Sequence, residues 1–160
     1  MYTEQIVQST NITGEYVKTG NKGIDCIMNY MLARAEQLEC ERNIVIQIPE
    51  TCFMPDFDLN MLLGNLLENA LEAVEKAENK NLDLYISYKK GVLYVSLYNT
   101  YDGLLRKKGR EYITMKNNHC GHGLGMKSVQ NIVEKYHGEM RVQNTKELFK
   151  VDIIIYIDAV

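Results

Sequence analysis

Two runs of alternating apolar residues, one through Leu82, Leu84 and Ile86 and the other spanning 93–98, flank the tight sequence Lys89-Lys90-Gly91. A period of two with a glycine-bearing turn between the halves demands an antiparallel hairpin with one apolar face. That face must be covered, and the segments with helical spacing can cover it. Ile24, Ile27, Met28, Met31, Ala35 and Leu38 form one apolar stripe; Leu59, Leu63, Leu66, Ala70, Ala73 and Val74 form a second. A third helix is expected over 125–136, with Gly138 placed to cap it. Ile44, Ile46 and Ile48 read as a strand stopped by Pro49, and 139–143 with 149–157 as a closing hairpin around Thr145-Lys146-Glu147. Asp56 or Asp58 is the expected N-cap of the second helix. Residues 100–121, with Gly103, Gly109 and Gly121, read as a loop. The order implies an α+β fold: a mixed, mostly antiparallel sheet with three helices on one face. Residues 1–20, polar and broken by Asn11, Gly14 and Gly20, read as a connecting segment, leaving 21–160 as one domain.

Composition narrows the function classes. At 160 residues and 46% apolar content the chain can bury one core. A net charge of -3 argues against tracking a nucleic-acid backbone. No run approaches the ~18–20 apolar residues that cross a bilayer, and the polar start MYTEQIVQST is no signal peptide, so the domain is expected in the cytoplasm. A membrane tether elsewhere in a parent protein is compatible with this. Cys26, Cys40, Cys52 and Cys120 form no paired framework, and His119-Cys120-Gly121-His122 lacks a second ligand pair, so reduced thiols without a metal are expected.

Two segments carry chemistry. In 64–73, Asn65, Glu68, Asn69 and Glu72 fall at i, i+3, i+4 and i+7 and share one stripe of the second helix. Asparagine is a mediocre helix former, but its carbonyl is a hard oxygen ligand suited to Mg²⁺. A solvated polar face would give the same spacing. The second segment, Gly121-His122-Gly123-Leu124-Gly125, stands ahead of the third helix. Glycines admit close backbone approach, and N–H groups at a helix start suit phosphate oxygens. The loop before it holds Arg106, Lys107, Lys108, Arg110 and Lys116, either a polyphosphate funnel or an ordinary solvated loop. It matches neither a Walker loop nor a Rossmann turn.

Together, NLLENALEA and, about fifty residues on, HGLGMKSVQNIVEKYHGEM resemble the N box and second glycine box of the GHKL superfamily of gyrases, heat-shock chaperones, histidine kinases and mismatch-repair proteins. Thr19-Gly20-Asn21 with Asp25, and Thr114-Met115-Lys116, are most similar to histidine kinases of the peptide-pheromone-receptor type. The resemblance covers about residues 19–157. It implies the Bergerat ATP-binding sandwich, ATP as substrate and Mg²⁺ as cofactor. Asn69, supported by Asn65, matches the metal ligand. Asn65, Glu68 and Lys116 match the catalytic group. Asn69, Ala73, Asn99, Asp102, Gly121, His122, Gly123, Leu124 and Gly125 match the nucleotide-binding positions, with 101–121 as the ATP lid.

Two departures matter. The superfamily's ATPases place a glutamate at the Asn65 position to activate water, which asparagine cannot do; kinase chemistry gains from that. Asn99 stands where the adenine-gripping aspartate is usual, with Asp102 as the runner-up. The histidines His119, His122 and His137 are not on an amphipathic dimerising helix, so the resemblance implies a phosphoacceptor outside this chain, in a dimerisation domain, and a response regulator downstream. The alternatives are a stand-alone serine kinase of the anti-sigma-factor type and a nucleotide-sensing module without transfer activity.

Overall fold

The hairpin across Lys89-Lys90-Gly91 lies inside a six-stranded sheet in the computed structural model, which describes residues 6–10, 17–51, 53–104, 106–108, 111–113 and 124–157. Its strands are β1 (Ile6–Thr10), β2 (Glu41–Gln47), β3 (Asn81–Lys89), β4 (Val92–Thr100), β7 (Glu139–Asn144) and β8 (Leu148–Tyr156), in the order β1-β2-β3-β4-β8-β7. Only β2 and β3 pair in parallel; the other ladders are antiparallel. Lys90 and Gly91 both have positive φ, at 51° and 77°. That makes the two-residue turn whose twist matches its strands, and it fixes the register that puts Leu82, Leu84, Ile86, Leu93, Val95 and Leu97 on one buried face. The remaining strands, β5 (Arg106–Lys108) and β6 (Glu111–Ile113), form a separate ribbon within the segment expected to be all loop.

Three helices cover the apolar face: α1 (Lys22–Gln37), α2 (Asp56–Lys76) and α3 (Leu124–Lys135). The parallel β2–β3 pair requires a crossover, and α2 supplies it. Leu59, Leu62, Leu63, Leu66, Leu67, Ala70, Leu71 and Val74 of α2 are buried, so this helix is the spine of the core. α1 lies alongside α2 in the same direction. A Cβ on Gly23 would come 3.2 Å from Asp56 Oδ1, and Arg34 meets Glu68 eleven residues later in α1 and twelve later in α2. The Thr19-Gly20-Asn21…Asp25 sequence has a local physical role. The Asn21 side chain caps Ile24 N–H, and the Asp25 carboxylate accepts from the N–H groups of Thr19 and Gly20 and from the Thr19 hydroxyl.

Several expectations are corrected. β1 forms within residues 1–20, where no element was assigned; its five residues are too few to display a period among polar neighbours. The N-cap of α2 is Pro55, with no side-chain cap. Asp56 and Asp58 lie inside the first turn instead, where carboxylates favour the helix dipole. His137, not Gly138, takes the left-handed position after α3, with φ 53°. Gly138 is required by proximity: a Cβ there would lie 2.3 Å from the Ile154 carbonyl oxygen.

Asp58 has a second task that explains its burial at 3% exposure. Lys135 Nζ lies 2.8 Å from its Oδ2, and the Tyr136 hydroxyl donates to the same atom, tying the start of α2 to the end of α3. Hydrogen bonds from Lys135 and Tyr136 hold the Asp58 carboxyl below its ordinary value. Burial and the same contact push Tyr136 up to about 12. A depressed carboxyl stabilises the fold above its unfolded pKa, and this contribution is lost as pH falls through the folded value. Asp58→Asn should cost about 2 kcal/mol at neutral pH. The gap in melting temperature between the variant and the unaltered chain should close as pH drops below the ordinary carboxylate range. A gap independent of pH between 7 and 2 would refute the ion-pair account.

Candidate functional site

The polar stripe of α2 is half-buried rather than solvated: Asn65, Glu68, Asn69, Glu72 and Ala73 are all partly covered. The Asn65 amide nitrogen donates to the Met61 carbonyl at 2.7 Å. This orients the amide so that Oδ1 turns toward α3, where it would lie 3.6 Å from a Cβ on Gly125. Asn69, one turn further on, makes no hydrogen bond among the described residues. A part-exposed amide without a protein partner can bond to water or to a ligand. The first turn of α3 opens beside Asn65, and its N–H groups have no partner within the helix. Oxygen ligands and a helix N-terminus therefore meet at one place, a combination that suits a polyphosphate with a hard cation.

The expected adenine contact comes from β4, opposite Leu82 at the start of β3. Asn99, near the end of β4, is 1% exposed and on the buried face. Its Nδ2 donates to the Thr100 carbonyl at 3.0 Å. Its Oδ1 receives no hydrogen bond among the described residues. An enclosed acceptor without a donor costs about 1–3 kcal/mol, and an exocyclic amine would relieve it. Asp102 is exposed, and its Oδ1 accepts from Leu104 N–H at 3.0 Å, which makes it a turn residue. Along α2, Asn65, Asn69 and Ala73 are spaced i, i+4 and i+8, about 12 Å of helix. That length accommodates a base at one end and a phosphate chain at the other.

The chain leaving β4 is fastened to the β7–β8 turn. Tyr101 N–H donates to the Glu147 carbonyl at 3.0 Å, and the Tyr101 hydroxyl donates to the Thr145 carbonyl. Gly103 has φ 81°, and a Cβ on it would sit 2.6 Å from the Lys146 carbonyl oxygen. A cavity of about 550 Å³ opens there, lined among others by Lys76, Ala77, Asn81, Thr100, Tyr101 and Lys146.

Of the sequence-predicted residues, Asn65, Asn69 and Ala73 share one stripe of α2, Gly125 of α3 approaches Asn65, and Asn99 stands on the buried face of β4. Lys116, Gly121, His122 and Gly123 lie outside the described residues, and of Leu124 only the helical backbone is described. Glu68 is engaged: Arg34 Nη1 of α1 lies 2.7 Å from its Oε1, and that contact holds the guanidinium pKa above its ordinary value. Arg34 was not anticipated. Its partner is 34 positions away, so no local spacing could reveal it. Among the described residues no cluster of three or more His, Cys, Asp or Glu could hold a metal ion.

A family model described as a GHKL domain matches residues 54–156. No curated protein matches the chain by sequence. Among solved structures, the histidine kinase AdeS of Acinetobacter baumannii superposes with a TM-score of 0.59 at 12% identity, over 86% of this chain and 64% of that one. The chain thus spans just under two thirds of AdeS. The catalytic domain of the histidine kinase ThkA gives 0.59 at 15% identity, over 89% of this chain and 96% of that one. Full-length ShkA in complex with AMPPNP gives 0.59 at 16% identity, over 91% of this chain and 32% of that one. At such identities the likeness is one of fold.

Proposed function

The chain belongs to the GHKL domain family, and on that premise we propose that it is the ATP-binding catalytic domain of a two-component sensor histidine kinase. It transfers the γ-phosphoryl group of Mg-ATP to a histidine in a dimerisation domain outside this chain, and a response regulator receives the group in turn. The observation that supports this reading is the approach of Gly125, in the first turn of α3, to the Asn65 amide oxygen on the polar stripe of α2, inside the segment matched by the family model. ShkA, of similar fold, was solved with AMPPNP. No helix among the described residues is long and apolar enough to cross a membrane.

In this reading Asn99 Oδ1 accepts from the adenine amine, and Ala73 leaves room for the base beside α2. Asn69, with Asn65, would hold Mg²⁺, which would neutralise phosphate charge. The α3 N-terminus and the glycines ahead of it receive phosphate oxygens through backbone N–H groups. Asn65 has no basic atom to deprotonate water, so hydrolysis is slow and the phosphoryl group waits for its acceptor. Catalysis here is positioning and charge neutralisation.

The test is incubation with γ-labelled ATP of this chain alone, of a longer chain that includes the upstream acceptor segment, and of that longer chain with its upstream histidine replaced. Only the second should label, and its product should be acid-labile and base-stable, as a phosphoramidate is. Labelling of this chain alone would refute the reading. An acid-stable product would point to a serine kinase, and nucleotide binding without any transfer to a sensing module.

A further inference from the structure

Arg34 belongs to α1, a helix that supplies none of the oxygen ligands, yet it reaches the polar stripe of α2. Its Nη1 lies 2.7 Å from Glu68 Oε1, with side-chain exposures of 28% and 42%. Glu68 is the residue immediately before Asn69 and one turn after Asn65, so its carboxylate flanks both. Resting on the nucleotide-binding reading above, we propose that Arg34 is a positioning residue for the phosphate end of the site. It neutralises Glu68 and draws its carboxylate toward α1, away from the polyphosphate. Without it, a free carboxylate beside Asn69 would repel the nucleotide and compete for the cation.

The side-by-side run of α1 and α2 makes this geometry specific. Gly23 sits against Asp56 at the start of the pair, and Arg34 falls opposite Glu68 at the same stagger. A pair this exposed adds little to stability, about 0–1 kcal/mol, so its value lies in where it puts the charge. The repulsion has a diagnostic dependence on metal. ADP without a cation is the more anionic ligand and feels Glu68 most, while Mg²⁺ screens the effect.

The test is calorimetric titration of the whole chain with ADP, in EDTA and in excess Mg²⁺, for Arg34→Met, Arg34→Lys, Glu68→Gln and the Arg34→Met/Glu68→Gln double variant. Arg34→Met should weaken metal-free ADP binding about three- to tenfold and Mg-ADP binding less. Arg34→Lys should retain most of the affinity, because it keeps the charge. In the Glu68→Gln background Arg34→Met should have no further effect. Unchanged metal-free affinity in Arg34→Met, or an equal loss with Glu68→Gln present, would overturn the inference while leaving the nucleotide reading in place. If the unaltered chain binds no ADP under either condition, the nucleotide reading falls, and this inference with it.

Discussion

Asn69→Ala should bind ADP equally well with and without Mg²⁺, because it removes the amide oxygen placed to hold the cation. The expected loss in the metal-dependent part is on the order of 10- to 100-fold, the scale seen when groups around a metal are removed. The fold should be untouched. Asn69 makes no hydrogen bond among the described residues, and alanine is the better helix former by some tenths of a kcal/mol. A melting temperature equal to or above that of the unaltered chain is therefore expected alongside the affinity loss. Asn69→Asp is the control, since it keeps a hard oxygen at the same reach and should retain the metal effect. Calorimetry with ADP in EDTA and in excess Mg²⁺ measures all three proteins. A full metal effect in Asn69→Ala would remove Asn69 from the cation site.

How much of this was legible in the sequence depends on how local each signal was. The β3–β4 hairpin was, because the alternation and the Lys90-Gly91 turn lie within twenty residues. The asparagine stripe was legible as spacing, but whether it faced water or a ligand was not. Nor was the approach of α3, whose Gly125 stands over Asn65. Asp58 misled for a physical reason: a carboxylate at a helix start looks like a cap, whereas here it serves Lys135 and Tyr136 nearly eighty positions away. Gly138 misled similarly. A glycine just past a helix usually supplies positive φ, but here it makes room for the β8 backbone, and His137 takes the left-handed position. Arg34 was invisible because only the folded stagger of α1 against α2 brings it to Glu68.

Among the candidate-site residues, Gly125 is one that the described surroundings do not require to be glycine. Gly103 and Gly138 are held by clashes with backbone oxygens, at 2.6 and 2.3 Å. Gly125 is not: among the described residues a Cβ there would meet only Asn65, at 3.6 Å or more, ordinary van der Waals contact. Nor is it among the glycines with positive φ. Gly125→Ala should accordingly stabilise the first turn of α3 by a few tenths to about 1 kcal/mol and raise the melting temperature. The same methyl group would fill the space between α3 and Asn65 Oδ1, where a phosphate oxygen must approach the backbone N–H groups. ADP affinity should fall on the order of tenfold, the worth of one charge-assisted hydrogen bond at ~1.4 kcal/mol. Stability and binding thus move in opposite directions, which no packing defect would produce. A Gly125→Ala chain that melts higher and binds ADP as tightly as before would place the phosphates elsewhere.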